Sequence, residues 1–309
     1  MPLLAVLKAL GDGTRLRLVA LLAQAELTVQ ELTEVLGMGQ SRISRHLKIL
    51  ADAGLLAVQR QGTWRYYRSL TDQEPLHSWW GVLAPGLEEG DFGRDLVRLQ
   101  VILQRRRQAS IRFFDRHARQ WESLAERFLP LDNWRPLVLD SLPAAGIILD
   151  LGVGTGAMLS SLCGEARQVV GIDQSPAMLA EARRRVAGAG LAERVDLRLG
   201  EMTHLPLADE SVDGVLLHLA LHHADRPRAI FGELQRVLRP GGCLVILDLL
   251  RHEQEWAREE LGDLWLGFVR EDLAGWLQDG GFAMKSYREL SGEPGPFTAF
   301  LLCAQKAAN

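Results

Sequence analysis

Two acids and a glycine turn stand in the order that nucleoside binding requires. The apolar run Ile147–Leu151 leads into a turn with a glycine at every second position: Gly152, Gly154 and Gly156. Asp150 precedes the turn, and Asp173 ends the next apolar run. A carboxylate at such a strand end can accept hydrogen bonds from both ribose hydroxyls of a nucleoside lying over the turn. The residues therefore predict nucleoside binding.

This turn by itself leaves more than one class of protein open. A buried strand followed by a phosphate-binding loop has the same pattern, and dinucleotide-dependent oxidoreductases share the strand-end acid. The spacing here is GxGxG and not the dinucleotide GxGxxG. A single glycine turn is a weak signal, so the neighbouring segments must decide.

Four segments in a fixed order give a more specific indication. They read DLGVGTG, GIDQSPAMLAEAR, LRLGEMTHLPLADESVDGVLLHLALHH and LRPGGCLVIL. Together, over about residues 147 to 247, they resemble the main blocks of class I S-adenosylmethionine-dependent methyltransferases. The resemblance implies a Rossmann-like α/β domain that binds S-adenosylmethionine or S-adenosylhomocysteine.

The same resemblance implies roles for individual residues. The glycines would let the backbone approach the ligand, Asp150 would meet its amino-acid end, and Asp173 would hold the ribose. Gln174, Glu201 and Met202 would contact the adenine, and His218 would face the sulfonium. The helix FFDRHARQWESLA is similar to the segment that closes over the cofactor in such enzymes, which makes Phe114 and Trp121 candidate lid residues.

Candidate catalytic residues follow the predicted fourth and fifth strands. His218, Asp248 and His252 are the candidates, because Asp248 and His252 could together deprotonate a hydroxyl of an acceptor. His222 and His223 follow an apolar run, where a structural role is favoured over that of a base. No metal site is predicted.

The first seventy residues carry a different pattern. Two short apolar helices broken by Gly11-Asp12-Gly13 place Leu4, Leu7, Leu10, Leu18 and Leu21 toward a small core. A helix capped by Thr28 and Glu31 follows, then a helix from Gln40 that Gly54 ends, and then two alternating strands around Gln61-Gly62. This order predicts a winged helix-turn-helix.

The helix from Gln40 has the layout of a DNA recognition helix. Ile43, Leu47 and Leu50 face inward, which leaves polar and basic side chains outside. With two arginines of the wing, the predicted DNA contacts are Gln40, Ser41, Arg42, Ser44, Arg45, Lys48, Arg60 and Arg65. The alternatives are a helical bundle with a solvated basic face and a winged helix that serves only for dimerisation.

Two segments and the hairpin after them resemble ArsR-type winged-helix repressors. The segments are LKALGDGTRLRLVALL and SRISRHLKILADAGLL. That resemblance implies binding to double-stranded operator DNA as a homodimer formed by helices flanking the winged helix. Metal-sensing members carry cysteines in an ELCVCDL box. Here Thr28 and Gln30 stand in their places, so metal sensing there is not expected.

The remaining segments set the domain boundaries. Glycines and prolines between Thr71 and Gly93 predict an irregular connector around Trp79 and Trp80, and 95–129 is predicted helical. The triplet Arg105–Arg107 is expected on a solvated face, with DNA contact as the alternative. The predicted domains are 1–70, a connector and lid region at 71–140, and 141–309.

Charge and composition support this division. Residues 1–68 hold nine Lys or Arg against five Asp or Glu, a net +4 in a chain of net −4, so only the first part suits a polyanion. The 47% hydrophobic content suits a globular protein. Charged residues interrupt the apolar N-terminus, and three widely spaced cysteines suit a reducing compartment. We expect a cytoplasmic protein with no membrane partner.

The whole arrangement resembles ArsR-type regulators fused to a methyltransferase domain, a group that includes S-adenosylhomocysteine-responsive repressors. It predicts a transcriptional regulator with S-adenosylmethionine or S-adenosylhomocysteine as effector. The alternative is an active methyltransferase of a small molecule with an attached DNA-binding domain. The sequence has no Asp/Asn-Pro-Pro-Tyr/Phe block, which is typical of methylation at amide or base nitrogens, and no cysteine cluster of the kind that binds arsenite. A small molecule therefore remains open as the methyl acceptor.

Overall fold

The computed structural model of the protein describes residues 3–71, 76–87, 91–128, 131–144, 146–165, 168–290 and 296–308. Two compact units divide the chain, Met1–Arg106 and Arg107–Asn309. The boundaries near residues 70 and 140 stay predictions from the sequence. No helix in the described ranges is long and apolar enough to cross a membrane.

Helices dominate the first unit. They are α1 Leu3–Leu10, α2 Gly13–Gln24, α3 Val29–Leu36, α4 Gln40–Asp52, α5 Leu76–Leu83 and the first part of α6 Asp91–His117. A small antiparallel sheet contains β1 Leu27–Thr28, β2 Leu56–Gln61 and β3 Trp64–Ser69, in the order β1-β3-β2. The predicted winged helix-turn-helix is confirmed, with β1 as a strand that the sequence did not reveal.

The core of the first unit contains most of the predicted apolar residues. Leu18 and Leu21 of α2 are fully buried, as are the three inward residues of α4. The prediction for α1 was wrong for Leu4 and Leu7, which are 63% and 55% exposed. Val6, Ala9 and Leu10 form the buried side of α1 instead.

The ends of α3 follow the expected capping chemistry. Thr28 accepts a hydrogen bond from the amide of Glu31, whose carboxylate in turn accepts from the Thr28 amide. Gly37 ends the helix in the left-handed region at φ +64°. Thr28 therefore serves as a helix cap.

The connector after the wing is more ordered than predicted. Residues 76–83 form α5, and Trp79 and Trp80 on it pack against the core of the first unit. Pro75 and Gly90, two of the predicted breakers, lie outside the described residues. The sequence prediction weighed glycine and proline too heavily, since apolar burial compensates the weak helix propensity of Gly81.

The arginines of the triplet Arg105–Arg107 on α6 each form an ion pair. Arg105 is exposed, as expected, and Arg106 and Arg107 are half-buried. Arg105 pairs with Glu34, and Arg107 pairs with Glu201. The Arg106 guanidinium donates to both carboxylate oxygens of Glu31, at 2.7 and 2.5 Å. Each positive charge therefore has a carboxylate partner, which a prediction from one helix could not include.

The second unit is an α/β domain. Its helices after α6 are α7 Trp121–Glu126, α8 Leu131–Asp140, α9 Leu159–Glu165, α10 Pro176–Gly188, α11 Ile230–Val237, α12 Ala257–Glu260 and α13 Arg270–Asp279. Its strands are β4 Ile147–Leu151, β5 Gln168–Asp173, β6 Val195–Leu199, β7 Val212–His218, β8 Leu238–Leu249, β9 Phe282–Leu290 and β10 Ala299–Lys306. The predicted helix over 95–129 is split, because α6 ends at His117; residue 129 lies outside the described residues.

Within the described residues, seven strands form one sheet in the order β6-β5-β4-β7-β8-β10-β9. The pairs among the first five strands are parallel, and β10 is antiparallel to both of its neighbours. The strand order reverses direction around β4, between β5 and β7. Ligands of open α/β sheets bind at the carboxyl ends of strands where the order reverses. The confirmed α/β fold therefore places the ends of β4, β5 and β7 at the expected site.

Candidate functional site

A cavity of about 1110 Å³, including the part open to solvent, lies at these strand ends. Its wall includes seven of the residues predicted to bind the ligand, namely Asp150, Gly152, Gly154, Asp173, Gln174, Met202 and His218. Gly156, Glu201, Asp248 and His252 are not among the lining residues. The fold thus brings together most of the predicted binding residues and few of the predicted catalytic ones.

The structure requires glycine at positions of this turn for different local reasons. All have positive φ, at +78° for Gly152, +52° for Gly154 and +82° for Gly156. A Cβ on Gly152 would lie 2.5 Å from the Cβ of Ala220, across the cavity wall. A Cβ on Gly156 would meet Leu159 at 2.7 Å, away from the cavity. Gly156 therefore permits close packing of the following helix, and its expected role beside the ligand stays a prediction.

Asp173 is held at the cavity by backbone amides. Its carboxylate accepts hydrogen bonds from the Gly154 amide at 2.9 Å and from the Ser175 amide at 2.8 Å. Burial raises the pKa of Asp173, and these amide hydrogen bonds oppose that rise. The glycine turn and the strand-end acid are therefore one hydrogen-bonded unit, as their order in the sequence suggested.

Asp150 is only 2% exposed and no hydrogen bond to its carboxylate is found among the described residues. Burial, together with the nearby charge of Asp173, raises the pKa of Asp150 to about 7. A buried carboxylate beside another one favours a cationic neighbour. The methionine end of the expected ligand would supply such a cation.

The residues expected at the adenine behave differently from one another. Gln174 and Met202 line the cavity, and the Gln174 amide nitrogen lies 3.2 Å from Ser110 Oγ. Glu201 pairs with Arg107, and its side chain is 45% exposed. That carboxylate is thus already engaged in an ion pair, a contact that no local sequence pattern predicts.

His218 lines the cavity at the end of β7. Burial lowers the pKa of His218 to about 4, so the imidazole is neutral near pH 7. The next residue, Leu219, has φ +53°, which is costly for a branched side chain. A neutral ring beside a strained turn suits a site that takes a cationic sulfonium, because it adds no like charge.

The buried histidine–carboxylate pair differs from the predicted one. His222 Nδ1 lies 2.7 Å from Asp248 Oδ1, and the other oxygen of Asp248 accepts from the Leu221 amide. His252 instead packs on the ring of Phe297. The hydrogen-bonded partner of Asp248 is thus His222, which reaches it from a 3-10 turn after β7 across the parallel β7–β8 pair. The proposed joint role of Asp248 and His252 stays a prediction.

A second carboxylate faces the same histidines. Asp263 Oδ1 lies 3.6 Å from His222 Nε2 and 3.9 Å from His223 Nδ1. Both Asp263 oxygens are buried and have no hydrogen-bond partner in the part of the chain that the structure describes. Burial alone would lower the pKa of His222, but the charges of Asp248 and Asp263 raise it to about 9. Burial raises the pKa of Asp263 to about 7. All three of His222, His223 and Asp263 line the cavity.

Sequence reasoning gave His222 and His223 a structural role and did not single out Asp263. The adjacent histidines after an apolar run were the available signal for the first two. Asp263 had none, since it lies 40 residues away from His223 in an irregular segment. Only the folded chain brings the three side chains together.

Aromatic rings cover one side of the cavity. Phe114 and Trp121, the predicted lid residues, both line it, with ring centroids 5.0 Å apart. Phe114 also packs edge-on against His223, at 4.7 Å. An aromatic wall excludes water and can face a cationic ligand.

The predicted DNA-binding residues form an exposed set on the first unit. All six residues on α4 and both arginines of the wing are exposed: Gln40, Ser41, Arg42, Ser44, Arg45, Lys48, Arg60 and Arg65. Arg60 and Arg65 face each other directly across the β2–β3 pair. Like charges at such positions destabilise a hairpin, so an anionic partner would relieve them.

Comparison with known proteins identifies a related family for each half of the chain. Residues 12–58 match the family model described as bacterial regulatory protein, arsR family, and residues 149–246 match that of a methyltransferase domain. A demethylmenaquinone methyltransferase of Clavibacter sepedonicus is 32% identical over 176 residues, which cover 48% of this chain and 71% of that protein. The chain belongs to the methyltransferase family. It is a methyltransferase-family domain joined to an arsR-family helix-turn-helix.

Other similarities are more partial. An arsenite methyltransferase of Halobacterium salinarum is 37% identical over 126 residues, 40% of this chain but only 32% of that protein. Among solved structures, the cyclase SpnF has a TM-score of 0.51 at 22% identity, covering 58% of this chain and 81% of that one. The chain thus spans about a third of the length of the arsenite methyltransferase and about seven tenths of that of the demethylmenaquinone methyltransferase. The similarity to the solved structure concerns the fold alone.

Proposed function

We propose that the protein is a DNA-binding transcriptional regulator whose methyltransferase-family domain binds S-adenosylmethionine or S-adenosylhomocysteine as effector. The observation that carries the proposal is the cavity wall formed by the glycine turn and Asp173. Its carboxylate is already fixed by two backbone amides, so it needs little rearrangement to accept ribose hydroxyls. The neutral His218 and the buried Asp150 suit the cationic end of the ligand.

DNA binding is proposed for the exposed face of α4 and the wing. Six polar or basic residues of α4 point away from its buried stripe, as a helix that enters the major groove requires. The Arg60–Arg65 pair would contact the phosphate backbone, which gives affinity but no sequence information. Double-stranded operator DNA is therefore the proposed partner.

A homodimer is proposed from the apolar residues that the first unit leaves exposed. They are Leu3, Leu4 and Leu7 on α1 and Val97 and Val101 on α6, each at least 50% exposed. These two helices flank the winged helix in sequence, where relatives are expected to dimerise. Two identical reading heads would bind two half-sites about one DNA turn apart.

A mobility-shift titration on duplex DNA from upstream of the protein's own gene tests this proposal. We expect a shift of the duplex by the protein alone and a changed affinity when one of the two nucleosides is added. A ligand can shift this equilibrium only by its different affinity for the free and DNA-bound states. A DNA affinity indifferent to both nucleosides, although calorimetry shows that they bind, would contradict the effector role.

Catalytic methyl transfer to a small molecule is the second candidate. It is favoured by His222, which lines the cavity and is oriented by Asp248 at 2.7 Å. Methyl transfer needs an acceptor lone pair in line with the methyl carbon, so positioning does most of the work. Release of S-adenosylhomocysteine during incubation with S-adenosylmethionine and a panel of hydroxylated small molecules would support it. Its absence, beside ligand-dependent DNA release, favours the regulator.

A further inference from the structure

The cluster of His222, His223 and Asp263 has the composition of a metal centre. The three residues offer ligand atoms that all lie within 4.8 Å of one another, and all three side chains are buried. Two histidines with one carboxylate are a common donor set for borderline divalent transition metals, and three protein ligands leave positions open for another molecule. The methyl-transfer candidate uses His222 alone, and neither candidate function uses the three residues together.

Asp263 supplies an independent observation. It is 2% exposed, and no described residue forms a hydrogen bond with either carboxylate oxygen. A buried carboxylate without a hydrogen bond is expensive, and the His222 ring at 3.6 Å offsets only part of that cost. A bound cation between the two would compensate it more fully. Its side chain lines the cavity together with both histidines.

The backbone holds Asp263 at this place. The amides of Leu264 and Trp265 both donate to the carbonyl oxygen of His222, at 3.1 and 3.0 Å. The Trp265 indole donates to the Ala224 carbonyl at 2.8 Å. The segment that carries Asp263 is therefore tied to the turn that carries the histidines, although the two lie far apart in sequence.

The histidines have their other ring nitrogens fixed as metal ligands require. His222 Nδ1 faces Asp248 at 2.7 Å, so its hydrogen points there, and Nε2 becomes the ligand atom when a metal ion displaces the proton that this nitrogen carries near pH 7. His223 Nδ1 lies 3.2 Å from the Gly262 carbonyl oxygen, which can only accept, so Nε2 is free. This carboxylate–histidine arrangement orients imidazole ligands in metal sites.

The distance between donors suits an ion better than a hydrogen bond. His222 Nε2 and Asp263 Oδ1 are 3.6 Å apart, too far for a hydrogen bond. A tetrahedral ion with bonds of about 2.0 to 2.2 Å separates its ligands by roughly 3.3 to 3.6 Å. His223 offers a further ligand atom within 4.8 Å of those of His222 and Asp263.

We propose that His222, His223 and Asp263 bind one divalent transition-metal ion, with Asp248 orienting His222 from behind. The ion balances the two carboxylates with both imidazoles neutral. Its remaining positions face the cavity and would take an oxygen of a small-molecule ligand. That last step rests on the methyl-transfer candidate, whereas metal binding itself does not depend on either proposed function.

Metal binding to the full chain, stripped with a chelator, tests the proposal. We expect one Zn²⁺ per chain by calorimetry and visible d–d absorption of tetrahedral or five-coordinate Co²⁺. Asp263→Asn and His223→Gln should each weaken Zn²⁺ binding at least tenfold, and Asp248→Asn by about 10- to 100-fold. His204→Gln, at an exposed histidine of the same unit, is the matched control and should bind as the parent does.

A cooperative thermal unfolding transition of each metal-free variant shows that it is folded. If either Asp263→Asn or His223→Gln shows no such transition, the test relies on the other of the two. The proposal is overturned if the parent binds neither ion, or if folded Asp263→Asn and His223→Gln bind Zn²⁺ like the parent. Because S-adenosylhomocysteine binding is measured separately, loss of the metal site and failure of the effector proposal remain distinguishable.

Discussion

Asp173 is the single residue on which the proposed ligand depends most. Its replacement by asparagine removes the charge that would accept the ribose hydroxyls and swaps an acceptor for a donor facing backbone amides. A hydrogen bond to a charged group contributes about 1.5 to 3 kcal/mol, so S-adenosylhomocysteine affinity should fall about 10- to 100-fold. Calorimetry measures it.

Asp196→Asn is the matched control for that substitution. Asp196, on the adjacent strand β6, pairs with Arg198 away from the glycine turn, so its loss should leave ligand affinity unchanged. Equal affinity of Asp173→Asn and the parent would remove Asp173 from the proposed site.

The pKa of about 7 at Asp150 makes ligand binding depend on pH. Below pH 7 the free protein holds a proton on Asp150, and a cationic ligand must displace it. S-adenosylmethionine affinity should therefore rise up to about tenfold per pH unit as pH increases toward 7, and then level off. Calorimetry at pH 5.5 to 7.5 gives the profile, and Asp150→Asn should flatten it. A slope unchanged in that variant would assign the proton to another group.

Sequence reasoning was most successful where chemistry follows a local pattern. Gly152, Gly154 and the side chains of Asp150, Asp173 and His218 all stand at strand ends, so their convergence on the cavity could be predicted from strand order. Glu201 and His252 could not be judged in this way, because Arg107 and Phe297, which contact them, come from distant segments. Asp263 was missed for the same reason.

The recognition helix α4 predicts how salt affects DNA binding. Arg45 is exposed on α4, and its replacement by alanine removes one proposed phosphate contact. The slope of log affinity against log salt should become shallower by about 0.9, with weaker binding at every salt concentration. Fluorescence anisotropy with a labelled duplex measures both quantities.

Arg94→Ala provides a control on α6, since Arg94 is exposed and pairs with Asp91. It should leave the salt slope of the parent intact. A slope that falls equally in both variants would indicate that general charge, and not the face of α4, determines binding.

Helices and strands with clear periodicity were predicted well, and the errors occur where packing overrides local signals. The capping box of α3 and the buried stripe of α4 follow directly from residue spacing. The helix α5 was predicted as irregular because Gly81 outweighed its apolar neighbours. β1 is only two residues long, and its existence depends on pairing with β3.

The proposed homodimer depends on apolar surface that the isolated chain leaves uncovered. Leu7→Glu combined with Val101→Glu places charges on both exposed helices. Sedimentation should show a dimer for the parent and a monomer for the double variant, since a buried unpaired charge is strongly unfavourable. Val58→Glu, at an exposed apolar residue of β2, should remain dimeric. A monomeric parent at micromolar concentration would contradict this assembly.

Reciprocal coupling between the two ligands tests the regulatory account of the whole chain most directly. S-adenosylhomocysteine and S-adenosylmethionine are each titrated calorimetrically into the free protein and into its DNA complex. The account predicts that the affinity for one nucleoside differs between the two titrations by about 5- to 150-fold, the same factor by which that nucleoside changes DNA affinity. Equal nucleoside affinities in the presence and absence of DNA would contradict it.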